Sequence, residues 1–118
     1  MNVKELRVGN YLKLLGTRFG TQTIELKKLI LSSLLENNDS IKYFKPIPLT
    51  EKWLLDFGFL DLGCGEYKKG TILLDNEYTD KGVWYVQEDS SLLNIDVIYV
   101  HQLQNLHFAL TNEDLTNK

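Results

Sequence analysis

The sequence predicts an α+β protein in which a curled, SH3-like N-terminal antiparallel sheet is followed by a second antiparallel meander, together with two short helices. Three observations predict this fold class. Short apolar stretches alternate with glycine- and asparagine-containing turns along most of the chain. Residues 50–58 carry the start and stop signals of a short helix. Leucines recur at helical spacing between residues 103 and 110.

The first apolar stretch, LRVGNYLKLLG, predicts a turn followed by a strand. Gly9 and Asn10 favour the positive backbone angles of a turn. In the strand, alternation places Leu12 and Leu14 on one side. The other side carries Tyr11, Lys13 and Leu15. The loop GTRFGT then separates this strand from a second apolar stretch, so the pattern predicts a β-hairpin.

Residues 24–35, IELKKLILSSLL, fit two interpretations. Ile24, Leu26, Leu29 and Leu31 suit the alternation of a strand, whereas leucines three and four residues apart suit a helix. We favour a strand, because the segment lies between hairpin signals. The polar run at 36–40 then predicts a turn into a further strand, IKYF.

Residues 45–59, KPIPLTEKWLLDFGF, predict a joint between two halves of the chain. Pro46 and Pro48 lack backbone N–H groups, so the preceding strand ends here or lies at a sheet edge. Thr50 is a favourable N-cap and Gly58 a favourable left-handed stop, which predicts a two-turn helix over residues 51–57. A proline-rich ligand is the alternative, but the prolines lack the PxxP spacing of such ligands.

The second half of the chain returns to strand signals. Three strands in a meander account for residues 59–89, and SSLLNIDVIYV adds a loop and another strand. The segment HQLQNLHFAL is helical by pattern, because Leu103, Leu106 and Leu110 recur at spacings of three and four. We divide the 118 residues into a small β subdomain at 1–48 and an α+β subdomain at 49–118, with a single domain as the alternative.

Composition narrows the class of protein. Apolar residues at 43% and charged residues at 25% are ordinary globular values. The single cysteine, Cys64, excludes an intrachain disulfide and a multi-cysteine metal cluster. The start of the sequence lacks the apolar core of a signal peptide, and no apolar run approaches the roughly 18 residues that span a bilayer. We therefore expect a cytoplasmic protein without a membrane partner.

Charge is unevenly distributed along the chain. Through Pro48 there are eight basic and four acidic residues, and from Leu49 onward there are five basic and twelve acidic residues. The basic half suggests nucleic-acid contacts. The candidate residues are Lys13, Arg18, Lys27, Lys28 and Lys42. The net charge of −3 argues against strong affinity for phosphates, and charges that merely solvate separate faces are the alternative.

Nothing in the sequence forms a catalytic signature. It lacks the phosphate-binding loop, dinucleotide-binding, zinc-protease and nucleophile-elbow motifs. Cys64 has no adjacent histidine, and His101 and His107, six residues apart on a helix, project on different sides and do not share a metal. His101 either caps the helix locally or serves in binding. We expect no enzymatic activity and no cofactor.

Protein interaction is the function that the composition favours. Adjacent Trp84 and Tyr85 in one strand point to opposite faces, so one of them faces away from the core. Phe108 lies off the leucine stripe of the last helix, and Gln104 and Asn105 are uncharged polar residues suited to an interface rim. Burial of all these residues in a two-sided core is the alternative.

Three blocks of the sequence carry a family resemblance. These are ELRVGNYL at 5–12, PIPLTEKWLLDFGF at 46–59 and YVHQLQNLHFALT at 99–111. Together they resemble a family of small uncharacterised proteins found in genomes and prophages of Bacteroidetes-type bacteria. The resemblance implies a phage or mobile-element context and a compact fold, and it implies no catalytic residue. We thus expect a non-enzymatic phage- or mobile-element-associated protein-interaction module that self-associates or binds another protein, with a nucleic-acid-binding accessory protein as the alternative.

Overall fold

The computed structural model of the chain describes residues 5–17, 20–36, 42–63, 65–76, 82–88 and 91–115. The elements, in chain order, are β1 (Tyr11–Thr17), β2 (Gly20–Glu25), α1 (Lys28–Glu36), β3 (Phe44–Pro46), α2 (Glu51–Asp56), β4 (Leu60–Gly63), β5 (Glu66–Lys69), β6 (Ile72–Asp75), β7 (Trp84–Glu88), β8 (Ser91–Val97) and α3 (Val100–Thr111). Two antiparallel sheets and short helices confirm the predicted α+β class.

The chain forms two compact units. The first unit spans Met1–Ile47 and Tyr99–Asp114, and the second spans Pro48–Ile98 and Leu115–Lys118. The sequence division at 48/49 placed residues 99–114 with the C-terminal part, whereas the structure groups them with the N-terminal part. The last helix is therefore joined to the first 47 residues by contacts distant in sequence, which no local pattern signals.

The first unit contains a three-stranded sheet in the order β2-β1-β3. Leu12 is fully buried, with Ile24 and Pro46 directly opposite it on the neighbouring strands. Leu12, Leu6, Leu26 and Leu34 form the core cluster. Ile30, Leu31 and Phe44 pack against this cluster, so α1 covers the Leu12 side of the sheet.

The predicted strand over residues 24–35 is wrong beyond Glu25. Strand β2 ends at Glu25, and residues 28–36 form α1. The physical reason is burial at helical spacing: Leu34 is buried and Ile30 and Leu31 are partly buried, while Ser32, Ser33 and Leu35 are exposed. A strand would place the buried Leu34 on the same side as the exposed Ser32.

The second unit contains a five-stranded antiparallel meander in the order β4-β5-β6-β7-β8. Residues directly opposite each other share a face, so the register assigns each side chain to one side of the sheet. One face, called here the core face, carries the buried residues Tyr67, Ile72, Leu74, Trp84, Val86 and Val97. The other face, called the outer face, carries half-buried and exposed residues, including Leu60, Glu66, Leu73, Asp75, Tyr85 and Asp96.

Helix α2 matches its predicted position and has the predicted C-terminal stop. The N–H of Phe59 donates to the carbonyl of Leu54, and the N–H of Gly58 donates to that of Leu55, both at 3.0 Å. These bonds form a Schellman motif around Gly58, whose φ is +93°. At the other end, Thr50 occupies the predicted N-cap position with extended backbone angles. Its side chain makes no capping hydrogen bond.

Helix α3 was predicted as a helix, but its buried face differs from the leucine stripe. Leu103 is buried, Leu106 is half-buried and Leu110 is exposed. The buried positions include the polar residues His101, Gln104 and His107. Among the residues that the structure describes, no helix is long and apolar enough to cross a lipid bilayer.

Candidate interaction surfaces

A buried amide network joins α3 to the turn before β1 within the first unit. The Gln104 side chain accepts a hydrogen bond from the N–H of Tyr11 and donates one to the carbonyl of Gly9, both at 2.9 Å. The Asn10 amide donates to Asn105 Oδ1 at 2.9 Å, and Asn105 Nδ2 donates to the Glu5 carbonyl. The side-chain amides of Gln104 and Asn105 are therefore both engaged within the unit. Gln104 is only 3% exposed, so it does not form the predicted interface rim.

His101 lies in the same network and pairs with Glu5. Its Nε2 lies 2.9 Å from Glu5 Oε1, and since a carboxylate only accepts, Nε2 carries the proton. The imidazole is fully buried and stacks on Tyr99, with 5.9 Å between the ring centroids. Its Nδ1 is buried and has no partner among the described residues. This pair therefore links Glu5 to α3 within the first unit.

His107 also has local partners. Its Nδ1 lies 2.9 Å from the carbonyl of Glu113, and the Thr111 hydroxyl donates to the His107 carbonyl at 2.8 Å. The two histidines thus have separate partners. Among the residues that the structure describes, no group of three or more His, Cys, Asp or Glu side chains could hold a metal ion.

Phe108 is half-buried under a charged neighbour. The Arg7 guanidinium carbon lies 3.9 Å from the centroid of the Phe108 ring, and Arg7 Nη2 lies 3.2 Å from Asp114 Oδ1. Stacking of a guanidinium on a ring covers part of the aromatic face. Part of the ring of Phe108, a predicted interaction residue, is therefore covered by Arg7 of the same unit.

Trp84 and Tyr85 occupy opposite faces of β7. Trp84 lies on the core face, where it is buried and its Nε1 donates to the Leu49 carbonyl at 2.9 Å. Tyr85 is half-buried on the outer face. Of this pair, Tyr85 is the one on the outer side.

The most exposed described leucines of the sheet lie on β4. Leu60 is 68% exposed and Leu62 is 51% exposed, and we call these two residues the leucine edge. Strand β4 is the first strand of the sheet and pairs with β5 on one side only. Asp61 Oδ1 accepts a hydrogen bond from the Gly63 N–H at 2.8 Å, which engages one donor of the strand with a side chain. The side chains of Leu60 and Leu62 are thus largely uncovered in the part of the chain that the structure describes.

The candidate basic residues are in different surroundings. Lys13 lies directly opposite Lys45 across β1 and β3, and we call these two residues the basic pair. Lys27 Nζ lies 2.8 Å from Glu25 Oε2, and this hydrogen bond raises the pKa of Lys27. Lys42 lies 5.3 Å above the ring of Tyr43. Lys28 is exposed on the first turn of α1, while the prediction for Arg18 falls outside the described residues, as does that for Cys64.

The outer face of the second unit carries a like-charge pair of the opposite sign. Glu66 lies directly opposite Asp75 on β5 and β6, and we call these two residues the acidic pair. Asp75 in turn lies opposite Tyr85, and Tyr85 lies opposite Asp96. Like charges directly opposite each other cost roughly 0.2–1 kcal/mol of sheet stability. Among the described residues, a like-charge cross-strand pair thus lies on each sheet, positive in the first unit and negative in the second.

Tyr67 connects the core face to α2. Its hydroxyl donates to Glu51 Oε1, and Lys69 Nζ donates to the Phe57 carbonyl at 2.7 Å. Burial raises the pKa of Tyr67 above its ordinary value, and the hydrogen bond to Glu51 raises it further. These contacts hold α2 against its own sheet.

Sequence reasoning missed the leucine edge and the acidic pair as surfaces. The alternation of Leu60 and Leu62 was visible, but their exposure follows from the position of β4 at the sheet edge. The acidic pair depends on the register of β5 and β6, which places residues nine apart side by side.

Comparison with known proteins finds no matching family model, curated protein or solved structure.

Proposed function

We propose that this protein is a non-enzymatic, phage- or mobile-element-associated protein-interaction module that acts in the cytoplasm. The observation that carries the interaction function is the leucine edge, two exposed leucines on a strand with a sheet neighbour on one side. Exposed apolar side chains grouped on a surface are typical of sites that another protein covers.

Two further observations support the proposal. The histidine–carboxylate pair has a fully buried imidazole, which fits a structural link better than general acid–base catalysis. The resemblance to prophage-borne proteins includes residues 5–12 and 99–111, the segments that the amide network joins. Two of the three blocks behind the proposed context therefore belong to the first unit, and the third, residues 46–59, lies mostly in the second.

Light scattering of the full chain across protein concentration tests the proposal. It is combined with an affinity-capture comparison of the wild type and the Leu60→Ser/Leu62→Ser variant. We expect a protein association that nucleic acid leaves unchanged and that the variant weakens at least about tenfold. Gln87→Ser, also an exposed position of the sheet, is the matched control. Association with proteins that is identical in wild type and leucine variant would overturn the proposal.

A nucleic-acid-binding accessory protein is the second candidate, favoured by the basic pair. Lys13 and Lys45 place two ammonium groups side by side, with Tyr11 on the same side of β1 as Lys13. Phosphate contacts of this kind weaken steeply with salt. A mass increase that requires nucleic acid, occurs at low salt only and disappears in Lys13→Glu/Lys45→Glu would select this function.

A further inference from the structure

We propose that the partner of this module is a second copy of the same chain, with the basic pair of one copy docked on the acidic pair of the other. This inference rests on the proposed protein-interaction function and names its partner. The first argument is charge. No ion pair joins Lys13, Lys45, Glu66 or Asp75 to another residue in the part of the chain that the structure describes.

The second argument is geometry. Each pair spans two neighbouring antiparallel strands, with its two residues directly opposite each other. Adjacent strands lie about 4.8 Å apart, so the side chains of the basic pair and those of the acidic pair leave their backbones at a similar spacing. Each lysine of one copy can therefore meet one carboxylate of the other without a change in either sheet.

The third argument concerns the surfaces around the pairs. The acidic pair belongs to the outer face, on which Asp75 lies opposite Tyr85 and Tyr85 lies opposite Asp96. Asp96 adds negative charge and Tyr85 adds half-buried aromatic surface. The basic pair has Thr23 opposite Lys13 on β2 and no carboxylate directly opposite it on either neighbouring strand. The outer face also carries Lys68, which lies opposite Leu60 and Leu73, and the side of the first sheet that bears Lys13 also carries Glu25, which lies opposite Tyr11. Glu25 forms an ion pair with Lys27, and the three carboxylates of the outer face outnumber Lys68. The two surfaces are thus opposite in net charge, which favours their mutual contact.

Two single charge reversals, Lys45→Glu and Asp75→Lys, separate this contact from effects on folding. Each reversal replaces a like-charge cross-strand pair by an opposite-charge pair, so it relieves repulsion within its own sheet. We expect each variant to be at least as stable as the wild type in urea unfolding and to self-associate at least about tenfold more weakly. A purely structural role of these residues would not lower association while raising stability.

The closing experiment measures mass by light scattering across concentration, at low and high salt, for the full chain. The wild type is expected to self-associate at low salt and to dissociate as salt rises. Each single variant is expected to remain monomeric where the wild type associates. An equimolar mixture of the two variants is expected to associate again, because one supplies an intact acidic pair and the other an intact basic pair.

Lys28→Glu and Glu36→Lys are the matched controls, because both are exposed positions on α1 and produce the same changes in net charge. The inference is overturned by a wild type that stays monomeric at low salt, by association indifferent to both reversals, or by a mixture that stays monomeric. Mass that increases only with mixed nucleic acid, and is lost in Lys45→Glu, would assign the basic pair to nucleic acid instead. The Leu60→Ser/Leu62→Ser variant, measured in parallel, reports separately on the proposed function.

Discussion

The side-chain amide of Gln104 accepts a hydrogen bond from the backbone N–H of Tyr11 at 2.9 Å, across 93 positions of sequence. Its other end donates to the carbonyl of Gly9. One buried side chain of α3 thus satisfies two backbone groups at the entrance to β1. A buried amide in this arrangement supports the turn that sets where the first strand begins.

Replacing this amide should destabilise the protein. Gln104→Ala leaves the Tyr11 N–H and the Gly9 carbonyl without their partner, and we expect a loss of about 1–3 kcal/mol in the free energy of unfolding. Urea denaturation measures the loss, and Gln87→Ala, an exposed glutamine on β7, is the control with an expected change below about 0.5 kcal/mol. Equal effects of the two substitutions would contradict the structural role of Gln104.

The indole of Trp84 provides a second test, in the other unit. Trp84→Phe retains an aromatic ring on the core face but removes the Nε1–H that the Leu49 carbonyl accepts. We expect a loss of about 1–3 kcal/mol, since the carbonyl is left unsatisfied beside a buried residue. Thermal unfolding followed by circular dichroism gives the value. An unchanged melting temperature would mean that the hydrogen bond contributes nothing.

Substitutions of Gly58 test how the C-terminal end of α2 is stabilised. At a φ of +93° an L side chain is strained, so Gly58→Ala should cost about 1–2 kcal/mol. Gly58→Asn should cost less, because asparagine tolerates left-handed conformations better than alanine does. Urea unfolding of both variants checks the order. Alanine tolerated as well as asparagine would show that the backbone relaxes to another conformation.

Tyr67 predicts a pH dependence at the alkaline end. Its pKa is raised in the folded protein, so above the ordinary tyrosine value of about 10 the unfolded chain loses this proton more readily than the folded one. The unfolded state then binds fewer protons, and stability falls as pH rises. The contribution is therefore complete below pH 10 and decreases above it, by up to about 1.4 kcal/mol per pH unit.

The comparison of the wild type with Tyr67→Phe isolates this effect from other titrating groups. We expect the difference in unfolding free energy between the two proteins to shrink as pH rises above 10. Tyrosinate absorbance of the folded wild type should show one tyrosine that ionises at a higher pH than the others. This late ionisation should be missing in Tyr67→Phe. A difference that stays constant from pH 8 to pH 11 would exclude a raised pKa for Tyr67.

The sequence predicted those elements whose signals are local. The helix at residues 51–56 and its stop at Gly58 follow from backbone chemistry within eight residues, and the structure confirms both. Alternation separates Leu12 and Leu14 from Tyr11, Lys13 and Leu15 on β1, and the structure buries Leu12. In each case the determining interactions lie close together in the sequence.

The prediction was wrong where burial decided between two local options. Residues 28–36 satisfy both a strand and a helix pattern, and contact of Leu34 with the core cluster favours the helix. The leucine edge and the acidic pair were harder still to predict from the sequence. The exposure of Leu60 depends on strand order, and the facing of Glu66 and Asp75 depends on register, which local periodicity does not specify.

The division of the chain into units has a consequence for synthesis on the ribosome. All five strands of the meander lie between residues 60 and 97, so they leave the exit tunnel before the helix that bears Gln104 and His101. Asn10 lies 95 residues before Asn105, so the amide of its turn lacks this partner until α3 has been synthesised. A premature stop at codon 98 would spare every strand of the meander, while Asn10 and the entrance to β1 would lack the helix that holds them.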